Sequence, residues 1–230
     1  MAEDLRQEDI EVAAHPTVET ALIVTRKERR VQTSKAFQAG DVELQDAASQ
    51  AIAQKAPVNA GDRILDYCAG GGGKTLAMAA QTKARFAAHD IHAQRLAPLK
   101  DRAKRAGVDV SLLQTKDLPK QPAFDGVFCD VPCSGSGAWR RSPEGKWALT
   151  EESLSTLRTT QAEILKRATS IVDRTGWVFY ATCSFLAEEN EQQVQDFLDS
   201  HPGWSCEFQE QLLPDAYGDG FFGALLVQSS

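Results

Sequence analysis

Residues 68–75 read CAGGGGKT and lie between a short apolar stretch, RILDY at 63–67, and a helix-forming stretch, KTLAMAAQTK at 74–83. A strand, a glycine run and a helix in that order constrain the fold more than any other feature of the chain. Glycine lets backbone approach a ligand closely, and the start of the following helix favours an anionic group. The alternation then continues. ARFAAHD reads as a strand and AQRLAPLKDRAKRAG as a helix closed by Gly107. DVSLLQT and DGVFCD read as strands, and a long helix falls within 151–172. GWVFYAT is a strand, AEENEQQVQDFLDSH a helix with a solvated polar face, and GALLVQ a last strand. This predicts an α/β fold: a doubly wound, mostly parallel sheet with helices on both faces. Upstream, ELQDAASQAIAQK (43–55) reads as a helix and ALIVTRKERRVQTS (21–34) as two short strands around a charged turn. Residues 1–19 have no clear period and read as a tail or as a fragment of something larger. The expected division is an N-terminal segment over 1–40 and one domain over 41–230.

Doubly wound sheets bind ligands at the carboxyl ends of their strands. The predicted strands end on Asp66, Asp90, Asp117 and Asp130. One such acid is an ordinary turn residue or helix cap; four beside a glycine loop point to a ligand. Asp90 lies 20 residues beyond Gly70, the spacing of a carboxylate that grips ribose hydroxyls. A P-loop would need glycine where Cys68 stands, and a dinucleotide fingerprint would need glycine at Thr75. The ligand that fits is S-adenosylmethionine, whose carboxylate takes the place of a phosphate.

Two cysteines follow strand ends on the same side of the sheet: Cys133 in DVPCSGSG and Cys183 in ATCSF. A single cysteine is usually a buried small hydrophobe. Two in converging loops beside a methyl donor suggest covalent catalysis. Carbon 5 of a pyrimidine is a poor nucleophile until a thiolate adds to carbon 6. Asp130 is placed to contact the ring nitrogen, or alternatively the cofactor amine, and Lys74 supplies a cation near it.

The segments LDYCAGGGGKTLAMAA, HDIHAQRLAPL, DVPCSGSGAWRRSPEGKW and YATCSFLAEENEQQV resemble the RsmB/Sun family of RNA cytosine-5 methyltransferases. VELQDAASQAIA and GDGFFGALL extend the likeness to roughly residues 20–228. The resemblance implies a Rossmann-like class I methyltransferase domain. It implies Cys183 as the nucleophile, Cys133 as an aid to proton removal or product release, and Asp130 and Lys74 as base-contacting groups. Cys68, Ala69, Gly70, Gly71, Gly72, Gly73, Lys74, Asp90, Asp117 and Asp130 are implied to hold S-adenosylmethionine. One departure is the glycine at a loop position where the family often has Ala-Pro, so weaker preorganisation is expected. Another is length: family members usually carry an N-terminal RNA-binding module. Residues 1–40 would be its remnant, or a partner supplies the RNA affinity.

An RNA partner sits oddly with a net charge of −7 until the charge is mapped. Residues 175–230 contain nine acids and no lysine or arginine, whereas residues 1–174 are slightly basic. WRRSPEGKW (139–147) interleaves aromatic and basic side chains, so Trp139, Arg140 and Arg141 are candidates for contacting single-stranded RNA. Trp147 either joins them or packs in the core. Ribosomal RNA is favoured over transfer RNA by the family. No apolar run reaches the ~18 residues of a membrane helix, and the acidic start MAEDLRQEDIEVAA is unlike a secretory signal. A cytoplasmic monomer without a metal is expected, its five cysteines reduced and at no zinc-like spacing. Two rival readings remain: a DNA cytosine-5 methyltransferase using Cys133, and a catalytically silent RNA-binding or ribosome-assembly factor on the same fold.

Overall fold

The structure, a computed structural model, describes residues 1–229. Its centre is a seven-stranded sheet of order β5-β4-β3-β6-β7-β9-β8. These strands are β3 (Arg63–Asp66), β4 (Arg85–His89), β5 (Val110–Leu113), β6 (Phe124–Asp130), β7 (Val172–Thr182), β8 (Trp204–Leu212) and β9 (Phe221–Gln228). The first five pair in parallel, and β9 runs antiparallel to both β7 and β8. The mostly parallel, doubly wound sheet expected from the alternation is therefore present. Strand order reverses between β3 and β6, and a crevice opens at such a switch point beyond the strand ends.

The central strands are buried on both faces, which is why they read as unbroken apolar runs. On one face Leu65, Val127 and Tyr180 pack against Leu165 of α7 (Glu151–Thr169) and Phe197 of α8 (Glu191–Ser200). On the other, Ile64, Phe128 and Phe179 pack against Ile52 of α3 (Ala47–Gln54) and Met78 of α4 (Gly73–Ala79). Phe128 and Phe179 stack with ring centroids 5.1 Å apart. Helix starts follow local sequence. Asp46 caps α3 by accepting from the Ala48 and Ser49 amides, and Thr150 caps α7 in a reciprocal box with Ser153. Among the described residues no helix is long and apolar enough to cross a membrane.

Three local expectations differ from the structure. Residues 1–19 are not a tail: α1 (Ala2–Gln7) and β1 (Glu11–Ala14) form there. Only one strand, β2 (Leu22–Arg26), lies within 21–34, and it pairs with β1 in a separate two-stranded sheet. Lys27 takes a left-handed φ of 60° that ends β2, and residues 28–33 coil into a 3-10 helix. That turn delivers Val31 into a small cluster with Leu5, Ile10, Val12 and Ala36. The third difference is β8, whose WSCEF alternation went unread although its burial also alternates.

Gly126 of β6 lies directly against Trp177, where a Cβ would sit 2.1 Å from the indole. Gly126→Ala is expected to destabilise the fold by about 1–3 kcal/mol through overpacking, read as a lower urea midpoint with an unchanged slope.

Candidate functional site

Asp66 ends β3 and the glycine loop turns immediately after it. Gly70 (φ 51°) and Gly72 (φ 78°) take left-handed backbone that other residues resist. Gly72 is also pressed against Leu99, so it shapes the turn. Two side chains pin the loop. Asp90, at the end of β4, accepts from the Gly70 amide at 3.0 Å, and Arg102 donates to the Gly71 carbonyl at 2.6 Å. Asp90 is buried; its other oxygen accepts from the His92 amide, and Arg95 lies 3.3 Å away. Asp66 is wholly buried and accepts from the Thr75 hydroxyl at 2.6 Å, while its second oxygen has no partner. Burial first, and then the nearby Asp130, push its carboxyl up to about 7 against the lowering pull of Thr75 and Lys74.

A cavity of about 670 Å³ opens over the switch point. It is lined by Cys68, Ala69, Gly70 and Gly71, by Asp90, and by Asp130, Cys133 and Cys183. Opposite them stands a face of α7 bearing Thr160, Glu163 and Arg167, which nothing in the sequence marked. A second cavity of about 150 Å³ shares Cys68, Ala69 and Asp130 and is walled by Gly73 and Lys74. Asp117 lines neither; it is half-buried in a 3-10 turn and pairs with Lys120 at 3.2 Å.

The chemical end follows from strand register. Asp130 of β6 sits opposite Ala181 of β7, so the two loops that follow bring Cys133 and Cys183 together, sulfurs 3.3 Å apart. The thiols differ in surroundings. A hydrogen bond from Cys133 holds the Cys183 thiol below its ordinary value, opposed by burial and Asp130 and helped by Lys74. The same contact, with burial and Glu189, drives Cys133 well above it. Both the hydrogen bond and the Lys74 charge favour Cys183 as the thiolate of the pair. Lys74 is buried, donates to Asp130 at 2.6 Å and rests 4.6 Å from the centre of the Phe221 ring. Among the described residues Asp130 Oδ1 accepts no hydrogen bond, although Asp130 lines both cavities.

Both cysteine loops stand on a buried polar network that sequence reasoning missed. Glu189 accepts from the Ser134 amide (2.8 Å), the Ser134 hydroxyl (2.6 Å) and Gln161 (3.0 Å). Ser136 and Ser184 touch at 2.9 Å, and the Gly137 amide donates to the Cys183 carbonyl at 3.0 Å. Asn190 accepts from Thr182 at 2.6 Å and donates to the Ser184 carbonyl at 3.0 Å. The available signal was the run of Ser, Thr, Glu and Asn beside two apolar strands, since such groups inside a fold must find partners.

The aromatic-basic loop lies outside the cavity lining. Arg141 grips the buried Asp219 with two donors yet keeps 59% of its side chain exposed; Arg140 lies 3.7 Å from the same carboxylate. Trp139 is half-buried, edge-on to Phe185 at 5.5 Å. Trp147 is 83% exposed, which settles it at the surface. Of the basic turn at 25–30, Arg26 pairs with Glu11, and Lys27 and Arg30 with Asp9.

Residues 53–227 match the family described as 16S rRNA methyltransferase RsmB/F. The chain belongs to this family. It is 38% identical over 197 residues to the ribosomal RNA small subunit methyltransferase B of Proteus mirabilis, covering 83% of this chain and 47% of that protein. Among solved structures it resembles PH0851 with a TM-score of 0.89 at 30% identity, covering 98% of this chain and 56% of the other. It also resembles NSun6 from Pyrococcus horikoshii with SFG, with a TM-score of 0.77 at 26% identity, covering 87% and 56%. The chain spans about half the length of these relatives. The seven-stranded sheet up to its last residue, the glycine loop and both cysteine loops fall inside the matched span, and the two-stranded sheet falls outside it.

The state of Asp66 gives a pH test. Its folded value of about 7 is above the ordinary aspartate range, so between pH ~4 and 7 the folded chain binds the extra proton. This stabilising contribution is full below pH ~4 and lost as pH rises through 7. Asp66→Asn has no such loss. Its stability relative to the parent should rise by about 1 kcal/mol per pH unit across that window, measured by urea melts at pH 4.5 to 7.5; a flat difference would contradict an uncharged Asp66.

Proposed function

We propose that this chain transfers a methyl group from S-adenosylmethionine to carbon 5 of a cytosine in RNA, with ribosomal RNA the favoured target. The observation that carries the reading is the thiol pair: two sulfurs 3.3 Å apart at the cavity wall, beside the Lys74–Asp130 ion pair. The cofactor assignment is supported by fit. The larger cavity, about 670 Å³, is in the size range of small-ligand pockets, bare backbone at Gly70 and Gly71 lines it, and the buried Asp90 carboxylate in its wall is the proposed partner of the ribose hydroxyls. The structural neighbour NSun6 was solved with SFG, an analogue of S-adenosylmethionine. Bound there, S-adenosylmethionine supplies an electrophilic methyl on a sulfonium.

The chain's own groups divide the remaining work. Cys183, as thiolate, adds to carbon 6, and a proton held between the Asp130 carboxylate and the ring nitrogen neutralises the charge that develops on the ring, with Lys74 holding Asp130 in place. Carbon 5 then has the electron pair to take the methyl. A water takes the carbon 5 proton, the released pair re-forms the carbon 5–carbon 6 double bond, and the bond from sulfur to carbon 6 breaks with Cys183 leaving as thiolate. Cys133 assists this last stage by donating a hydrogen bond to the departing sulfur across their 3.3 Å contact. Splitting one hard substitution into addition and elimination is what a nucleophilic side chain contributes. Trp139, Arg140 and the outer face of Arg141 are the proposed RNA contacts, with stacking and charge neutralisation as their roles.

The two thiols test this division. Cys183→Ala should abolish methylation and give no covalent RNA adduct. Cys133→Ala should form the adduct and resolve it poorly, so a slow-migrating protein–RNA species accumulates on a denaturing gel. The reverse pattern, with the adduct lost in Cys133→Ala, would favour the DNA-type arrangement. Full methylation by Cys183→Ala would end the reading.

A further inference from the structure

The glycine loop has no proline and contains two left-handed glycines, so its own sequence gives it little rigidity. Something outside the loop has to fix it. Arg102 of α5 (Ala97–Arg105) stretches its guanidinium between two places: Nη1 donates to the Gly71 carbonyl at 2.6 Å, and Nε donates to Glu43 at 3.1 Å. Both side chains of this pair are more than four-fifths buried. Glu43 is itself held, because its other oxygen accepts from Arg105, whose guanidinium stacks 4.2 Å from the centre of the Phe37 ring. One turn beyond, Gly40 is packed so tightly on the Arg105 carbonyl that a Cβ would overlap it. The segment from Phe37 to Glu43 is thereby fastened to α5, and α5 reaches the loop through Arg102 at Gly71 and through Leu99 packed on Gly72.

We infer that Arg102, held in place by Glu43, is a positioning residue that fixes the Gly70–Gly72 loop in its ligand-ready shape before any ligand arrives. The physical basis is preorganisation. A loop ordered in the free protein loses less entropy on binding than one ordered by its ligand. The Asp90 bond to the Gly70 amide fixes one side of the turn, and the Arg102 bond to the Gly71 carbonyl fixes the other. Arginine suits the task because its rigid fork can donate to two acceptors at once, whereas lysine offers a single point charge. Residues 37–43, remote from the thiols, thus enter the binding reaction through Arg102.

The functional half of this inference rests on S-adenosylmethionine as the cofactor, so the test has two readouts. One is S-adenosylmethionine affinity by calorimetry; the other is amide exchange of residues 69–73 in ligand-free protein. Arg102→Ala should weaken binding about tenfold and speed exchange in the loop. Glu43→Ala should do both to a smaller extent. The double variant should be no worse than Arg102→Ala alone, since Glu43 acts only through Arg102. Arg102→Lys, which keeps the charge and guards against misfolding, should fall between parent and Arg102→Ala. Unchanged exchange at 69–73 in Arg102→Ala would overturn the inference, even with weaker binding, because the arginine would then act by touching the ligand. Additive effects in the double variant would overturn the role of Glu43. A parent protein that binds no S-adenosylmethionine, yet whose loop exchange responds to Arg102→Ala, would strike the cofactor reading and leave the clamp standing.

Discussion

Glu189 is a carboxylate with no exposure to water, and the geometry of the thiol pair depends on it. A buried charge is costly unless it is fully bonded. Here the Ser134 amide, the Ser134 hydroxyl and the Gln161 amide each donate to it, and its backbone carbonyl accepts from Tyr180. Those donors come from the loop after β6, from α7 and from β7. Satisfying one carboxylate therefore locks two elements distant in sequence, and the backbone carbonyl of the same residue ties in a third. The loop bearing Cys133 cannot shift without leaving that charge unpaired, and the spacing between the sulfurs inherits this rigidity. The Glu189 charge raises Cys133 while the Lys74 charge lowers Cys183, which adds to the separation made by their mutual hydrogen bond and by burial.

Around that anchor the sheet does the remaining placement. Because strand order reverses between β3 and β6, the glycine loop and the Cys133 loop face one another across an open crevice. The parallel register then carries Cys183 alongside from β7. Lys74 is a cation drawn into this low-exposure region. Its bond to Asp130 and its contact with the Phe221 face offset the loss of water around it.

Legibility in the sequence tracked how local each cause was. The β3–glycine–α4 unit, Asp90 and the two strand-end cysteines were readable because a few adjacent residues fix each of them, and the family's motifs cover the same stretches. The α7 face at Thr160, Glu163 and Arg167 was not, because a helix shows its inner face only once its packing is known. The Glu189 network joins residues 134, 161 and 189 and has no local signature. Asp117 satisfied the strand-end rule, and in the structure it pairs with Lys120 in the 3-10 turn after β5 and lines neither cavity. The residues before 40 misled for a related reason. Val31 has a strand former's side chain, but its partners in the small cluster, Leu5, Ile10 and Val12, lie 19 or more positions upstream.

The place of β8 at the end of the sheet has a consequence for how copies of the chain behave toward one another. A terminal strand offers an unpaired row of backbone donors and acceptors, an invitation to edge-on association. Here the register slips between Cys206 and Phe208, putting a bulge at Glu207, and a bulged, charged rim makes a poor template for another strand. The acids concentrated after residue 174 reinforce this by mutual repulsion. What looks in the sequence like a region ill suited to RNA serves, in the folded chain, as protection against aggregation.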